Sequence, residues 1–137
     1  MSYLLDTNVL SEVRRPRPDP SVGAWFDAVR AEELYISVMV IGEIRHGIER
    51  LAQRDGVRAA AFEKWLIDLQ ELYGNRVMPV SAAVAEVWGR LNAAEPLPVA
   101  DGLMAATALV HNWTLVTRNT HHVIRTGARL INPFEVP

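Results

Sequence analysis

The sequence is 137 residues long and carries 14 Lys and Arg against 16 Asp and Glu, a formal net charge of −2. That length suits one domain over residues 1–137 with a sizeable core, and the charge argues against a nucleic-acid coat protein while leaving room for a nuclease with local basic groups. Cysteine is absent, which excludes disulfides, thiolate zinc sites and a Cys nucleophile.

The first element is the apolar run Tyr3-Leu4-Leu5, halted by Asp6-Thr7-Asn8. It reads as a buried strand ending at a turn. Two roles fit the polar triplet. All three residues are N-cap types for a following helix, and a carboxylate at a strand's C-terminal end also stands where open α/β sheets bind ligands. Three prolines then break regular structure between Arg14 and Pro20. Arg14, Arg15 and Arg17 in this stretch fit phosphate contacts or a solvated loop equally well.

Asp19-Pro20 is an N-cap and N1 pair for a helix through Trp25 and Val29. A strand over Leu34–Val38 follows. Ser37 caps a helix whose apolar face is Ile41, Ile44, Ile48 and Leu51. The pattern then predicts a helix from about Val57 to Leu72, a strand at Val77–Val80, and a helix opened by Ser81 that carries Val84, Val87, Trp88 and Leu91. Behind Pro96 and Pro98 a small-residue helix runs from Val99 to His111, before strands at Thr114–Thr117 and Arg129–Ile131. Strands alternating with helices imply crossover connections. The expected fold is a three-layer α/β/α domain with a central, mainly parallel sheet.

Three acids stand out in this frame. Asp6 lies at a strand end. Glu43 falls between Ile41 and Ile44 on a helix whose opening turns are almost wholly apolar, where an unpaired charge is unusual. It reads either as a surface residue paired with Arg45 or Arg50 or as part of a site. Asp101 opens the small-residue helix, where the helix dipole alone would favour an acid, yet the apolar segment behind it points to a packed helix with Asp101 in a crevice. Three carboxylates at helix starts and strand ends suit a hard divalent cation such as Mg²⁺ or Mn²⁺. Without a cation their mutual repulsion raises at least one carboxyl pKa.

The chain as a whole resembles the PIN-domain ribonucleases, and more narrowly the VapC-type toxins of bacterial toxin–antitoxin pairs. The resemblance rests on Leu4-Leu5-Asp6-Thr7-Asn8-Val9-Leu10-Ser11-Glu12, on Ile36-Ser37-Val38 with Gly42-Glu43-Ile44-Arg45-His46-Gly47-Ile48, and on Asp101-Gly102-Leu103-Met104-Ala105-Ala106-Thr107-Ala108. Leu115-Val116-Thr117-Arg118-Asn119-Thr120 and Asn132-Pro133-Phe134 complete it. It implies a PIN-like fold with Asp6, Glu43 and Asp101 as ligands for Mg²⁺ or Mn²⁺, RNA as substrate, and phosphodiester hydrolysis by metal-activated water. Thr7, Asn8 and Thr117 become residues that orient those ligands. It also implies a VapB-type antitoxin partner and a homodimer, while the absence of cysteine is compatible with a cytoplasmic location.

One departure matters. The family usually carries a fourth acid just past the last of these strands, where this chain has Thr117-Arg118-Asn119-Thr120-His121-His122. Asn119 or His122 stands in its place. Two other functions therefore stay open: a PIN-like module that binds RNA or protein without cutting, and a phosphatase with Asp6 as nucleophile, for which Asn8 occupies the position of a needed second Asp.

Other residues read as structural. Ser37 and Ser81 are caps, His46 and His111 are surface or packing groups, and Trp25, Trp65, Trp88 and Trp113 sit among apolar neighbours. Apolar side chains such as Trp65, Leu66, Leu69, Leu72 and Trp88 exceed what a small core readily hides, which fits a homodimer. No apolar stretch approaches the roughly 20 residues that span a bilayer, and no basic segment followed by an apolar one marks a secretory signal.

Overall fold

The computed structural model describes residues 1–135. Five strands, β1 (Tyr3–Leu5), β2 (Leu34–Ser37), β3 (Val77–Met78), β4 (Thr114–Val116) and β5 (Arg129–Ile131), form one sheet in the order β3-β2-β1-β4-β5. Every pairing is parallel, with Leu4 opposite Tyr35 on one side and Leu115 on the other. Among the described residues seven α-helices connect them: α1 (Thr7–Arg14), α2 (Pro20–Ala28), α3 (Val38–Ala52), α4 (Gly56–Tyr73), α5 (Ala82–Ala94), α6 (Val99–His111) and α7 (Thr120–Val123). From β1 the chain steps outward to β2 and β3, then returns across β1 to β4 and β5. Right-handed crossovers place α1 to α4 on one face and α5 to α7 on the other. The expected three-layer α/β/α fold is present.

Local chemistry sets the element ends. The side chains of Asp6, Asp19, Ser37, Asp55 and Ser81 all accept backbone N–H bonds at helix starts. Three strands are shorter than their apolar runs suggest. Val38 already belongs to α3 because Ser37 caps it, β3 stops at Met78 because Pro79 has no N–H to give the ladder, and Thr117 turns out of β4 toward Asp6. Likewise α2 ends at Ala28, with Val29 extended behind it.

The core is continuous across the sheet. Leu4, Leu5, Ile36, Leu115 and Val116 are almost fully buried, and Val9, Val40, Leu66, Met104, Ala105 and Ala108 close over them from the helices. Burial of this apolar surface, at about 25 cal/mol per Å², is the main force holding the layers together. Of the side chains expected to be surplus, Leu66 and Leu69 are in this core, while Trp65 packs against it. Leu72 remains exposed, along with Val57 and Ile67 of the same helix. Among the described residues no helix is long and apolar enough to cross a membrane.

Candidate active site

The reversal in strand order sits between β1 and β4, and a crevice opens beyond their C-terminal ends. Asp6 follows β1 and Thr117 follows β4, so these residues face each other across that crevice. Thr117 Oγ1 donates to Asp6 Oδ2 at 2.7 Å. Asn8 Nδ2 donates to the same oxygen at 3.3 Å, and the Thr7 N–H donates to Asp6 Oδ1 at 2.7 Å. The triplet of the opening motif thus caps α1 and holds a carboxylate in place at once. Asp6 is only 6% exposed. Burial pushes its carboxyl above the ordinary range; the bonds from Thr117, Thr7 and Asn8 pull it down, and the Asp101 charge raises it further.

Glu43, in the second turn of α3, reaches the same place. Its Oε1 accepts from Thr7 Oγ1 at 2.6 Å. The arginine pairing that its sequence neighbours offered is absent: Arg45 binds Glu63 and Glu49 instead. The residue is exposed, but its carboxyl is partly screened from water. That desolvation raises its pKa most, the Thr7 hydroxyl opposes the rise, and the charges of Asp6 and Asp101 add to it. Neither Asp6 nor Glu43 has a cationic side-chain partner among the described residues.

Asp101 enters from the first turn of α6, and its Oδ2 lies 3.1 Å from His122 Nδ1 on α7. The two candidates for the fourth position therefore differ. His122 contacts an acid of the cluster. Asn119 is tied through its backbone, its N–H donating to Thr117 Oγ1 and its carbonyl accepting from the His122 N–H. His121 stacks edge-on against His122.

The Asp101 charge acts on Asp6, and the charges of both act on Glu43, yet no group of three or more His, Asp and Glu side chains among the described residues stands at metal-ligand spacing. The donor chemistry nevertheless fits a hard cation, since every acid offers oxygen and two of them hold raised pKa values with no counter-charge.

Two features were not legible beforehand. Gly102, directly behind Asp101, packs so closely on α5 that a Cβ there would lie 3.0 Å from Trp88 Cδ1 and 3.1 Å from its Nε1. The Trp88 Nε1–H is buried without an acceptor. Second, Thr7 and Glu43 line a cleft of about 280 Å³ that also includes Ile44, Ile48, Arg54 and Arg58. Arg14 ends α1 with its guanidinium 3.9 Å above the Phe62 ring, Arg15 pairs with Glu12, and His111 stacks on Trp113.

The PIN domain family model matches residues 3–127. The chain is 31% identical to Toxin FitB of Neisseria gonorrhoeae, over 96% of this chain and 97% of that protein. It is 34% identical to VapC ribonuclease Y4jK of Sinorhizobium fredii, again over 96% and 97% of the two chains. Superposed on the crystal structure of FitAcB from Neisseria gonorrhoeae, it gives a TM-score of 0.88 at 31% identity, covering 98% of this chain and 99% of that one.

Proposed function

The chain belongs to the PIN-domain family, and from that premise we propose that it is the ribonuclease toxin of a toxin–antitoxin pair, a metal-dependent endoribonuclease that hydrolyses RNA phosphodiester bonds. Its VapC-named and toxin-named relatives support the reading. The observation that carries it is the Asp6 carboxylate, buried at the sheet's reversal point beside Glu43 and Asp101, with no cationic side chain paired to Asp6 or Glu43 among the described residues. Such an arrangement costs folding energy by itself. It becomes favourable when a cation and a phosphate occupy the crevice.

Asp6, Asp101 and Glu43 would hold Mg²⁺ or Mn²⁺, ions that prefer oxygen ligands. A bound ion would supply an attacking water of lowered pKa and offset the negative charge that builds on the phosphate. The protein's own residues prepare the ligands. Thr117 and Asn8 fix the Asp6 rotamer, Thr7 fixes Glu43, and His122 steadies Asp101. With His122 or Asn119 where a fourth acid usually stands, the cluster holds less negative charge, so one well-occupied metal site is proposed, and more activity in Mn²⁺ than in Mg²⁺. An antitoxin of the VapB type and pairing of two copies belong to the same proposal; the exposed Ile67 and Leu72 on α4 offer apolar surface for contact.

The lack of a three-ligand grouping among the described residues favours one rival reading, a module that binds RNA or protein without cutting. A phosphatase is disfavoured, because Asn8 supplies an amide where that chemistry needs a second acid. Purified protein incubated with structured RNA and Mg²⁺ or Mn²⁺, alongside an Asp6→Asn control, separates the readings. Cleavage by the wild type alone supports the nuclease; intact RNA with either metal leaves the binding module.

A further inference from the structure

We propose that the cleft between α3 and α4 holds the RNA strand beside the catalytic acids, with Arg54 and Arg58 gripping phosphates away from the bond being cut. The inference rests on the ribonuclease reading above and names where its substrate lies.

The cleft's composition changes along its length. Thr7, Ser11 and Glu43 line it at the acid cluster, Ile44 and Ile48 form an apolar wall, and Arg54 and Arg58 line it where α3 gives way to α4. Glu43 and the end of α3 at Ala52 are nine residues apart, about 14 Å along the helix. Arg54 and Arg58 follow that helix end, so a strand running along the cleft from the acids would bring successive phosphates to them.

Their state points the same way. Arg45 on α3 bridges to Glu49 and Glu63, and Arg14 lies over Phe62. Neither Arg54 nor Arg58 has a side-chain hydrogen bond or a carboxylate partner among the described residues. The nearby Asp55 carboxylate is engaged as the cap of α4, accepting from the Arg58 backbone N–H at 3.1 Å. Two unpaired guanidinium groups in a chain of net charge −2, sharing one cleft with the proposed reaction centre, form a local anion site. They also offset the repulsion that three carboxylates exert on an approaching polyanion. An acidic protein segment would satisfy the arginines too, but would need a basic group at its other end to meet Glu43.

The test is binding of a fluorescein-labelled, mixed-sequence single-stranded RNA, followed by anisotropy at several KCl concentrations with Mg²⁺ present. Cleavage is blocked by Asp101→Asn in every protein compared. Replacing both arginines, as R54A/R58A, should weaken binding and make the slope of log affinity against log salt shallower by about 1.4, roughly 0.7 for each lost phosphate contact on a single strand. R54K/R58K should recover most of the slope. An unchanged slope in R54A/R58A overturns the proposal. Failure of the wild type to cleave RNA would count against the nuclease reading, whereas the salt slope alone judges the cleft.

Discussion

Thr7 Oγ1 lies 2.6 Å from Glu43 Oε1, a bond that joins the first turn of α1 to the second turn of α3 across 36 residues of sequence. It ties the helix that Asp6 caps to the acid on the neighbouring helix. The hydroxyl also opposes the rise in the Glu43 pKa that desolvation causes. Thr7→Val keeps the side-chain shape and removes the donor. Activity or metal affinity should fall 10- to 100-fold, the usual cost of losing a group that orients a ligand. The acidic limb of the rate profile should move to higher pH, and Thr7→Ser should restore both. A Thr7→Val enzyme with an unmoved profile would show that the bond is incidental.

Asp6 gives a pH-dependent stability. Burial raises its folded pKa above the ordinary 3.8, so the unfolded chain releases the proton more readily than the native one. The stability linked to its neutral form is fully present below that ordinary value and is lost as pH rises through the raised one. Glu43, also raised, behaves the same way. Metal-free Asp6→Asn should therefore melt above the wild type at pH 7, with the difference shrinking as the pH falls toward 4. The gain should be a few degrees, since about 1 kcal/mol moves the midpoint of a domain this size by roughly 4 °C. Thermal melts in EDTA across that range check the sign.

Metal should reverse the cost. A cation that binds only the folded chain stabilises by mass action, about 2.7 kcal/mol at a hundred times its Kd. Mn²⁺ should raise the wild-type melting temperature and EDTA should abolish the rise. Asp101→Ala should lose both the rise and RNA cleavage while remaining folded. Normal cleavage by Asp101→Ala would remove that residue from the site.

The contact between His122 and Asp101 distinguishes the two stand-ins for the usual fourth acid. Because His122 Nδ1 is 3.1 Å from Asp101 Oδ2 whereas Asn119 engages Thr117 through its backbone, His122→Glu should have the larger effect. It should raise cleavage at limiting metal and lower the melting temperature in EDTA, because a fourth carboxylate adds repulsion. Asn119→Asp should do less on both counts. If neither substitution changes metal affinity or rate, this segment takes no part in the metal site.

Gly102→Ala tests how Asp101 is placed. The added methyl would meet the Trp88 indole at 3.0 Å, and crowding of this kind typically costs 1–3 kcal/mol. Urea melts should show that loss, and cleavage should drop because the first turn of α6 carries Asp101. Trp88→Phe in the same chain should recover much of both. The smaller ring makes room, and the buried Nε1–H that lacks an acceptor disappears with the indole.

Much of this protein is written in local sequence. Asp19-Pro20, Ser37 and Ser81 each start the helix they announce, because a cap is a bond between a side chain and backbone only two or three residues away. Helix α6 runs from Val99 to His111 and strand β5 from Arg129 to Ile131, as the apolar patterns predict. The positions of Asp6, Glu43 and Asp101 on a strand end and two helix starts were legible for the same reason, and alternation of strand and helix was enough to imply a parallel sheet between helical layers.

What the chain could not show locally is which of these groups meet. The bond from Thr117 to Asp6 spans 111 residues and exists only because β4 lies beside β1 in the sheet. Glu43 shares its helix with Arg45 and Arg50, yet Arg45 turns to Glu63 on α4 because α3 and α4 pack together. Likewise Gly102 reads as an ordinary small residue until α5 brings Trp88 against it. Arg54 and Arg58 share a cleft with Glu43 only once α4 folds back along α3. Element identity follows from propensity and capping within a few residues, whereas partnership and burial follow from packing between segments far apart in the chain. Tertiary structure alone decided those.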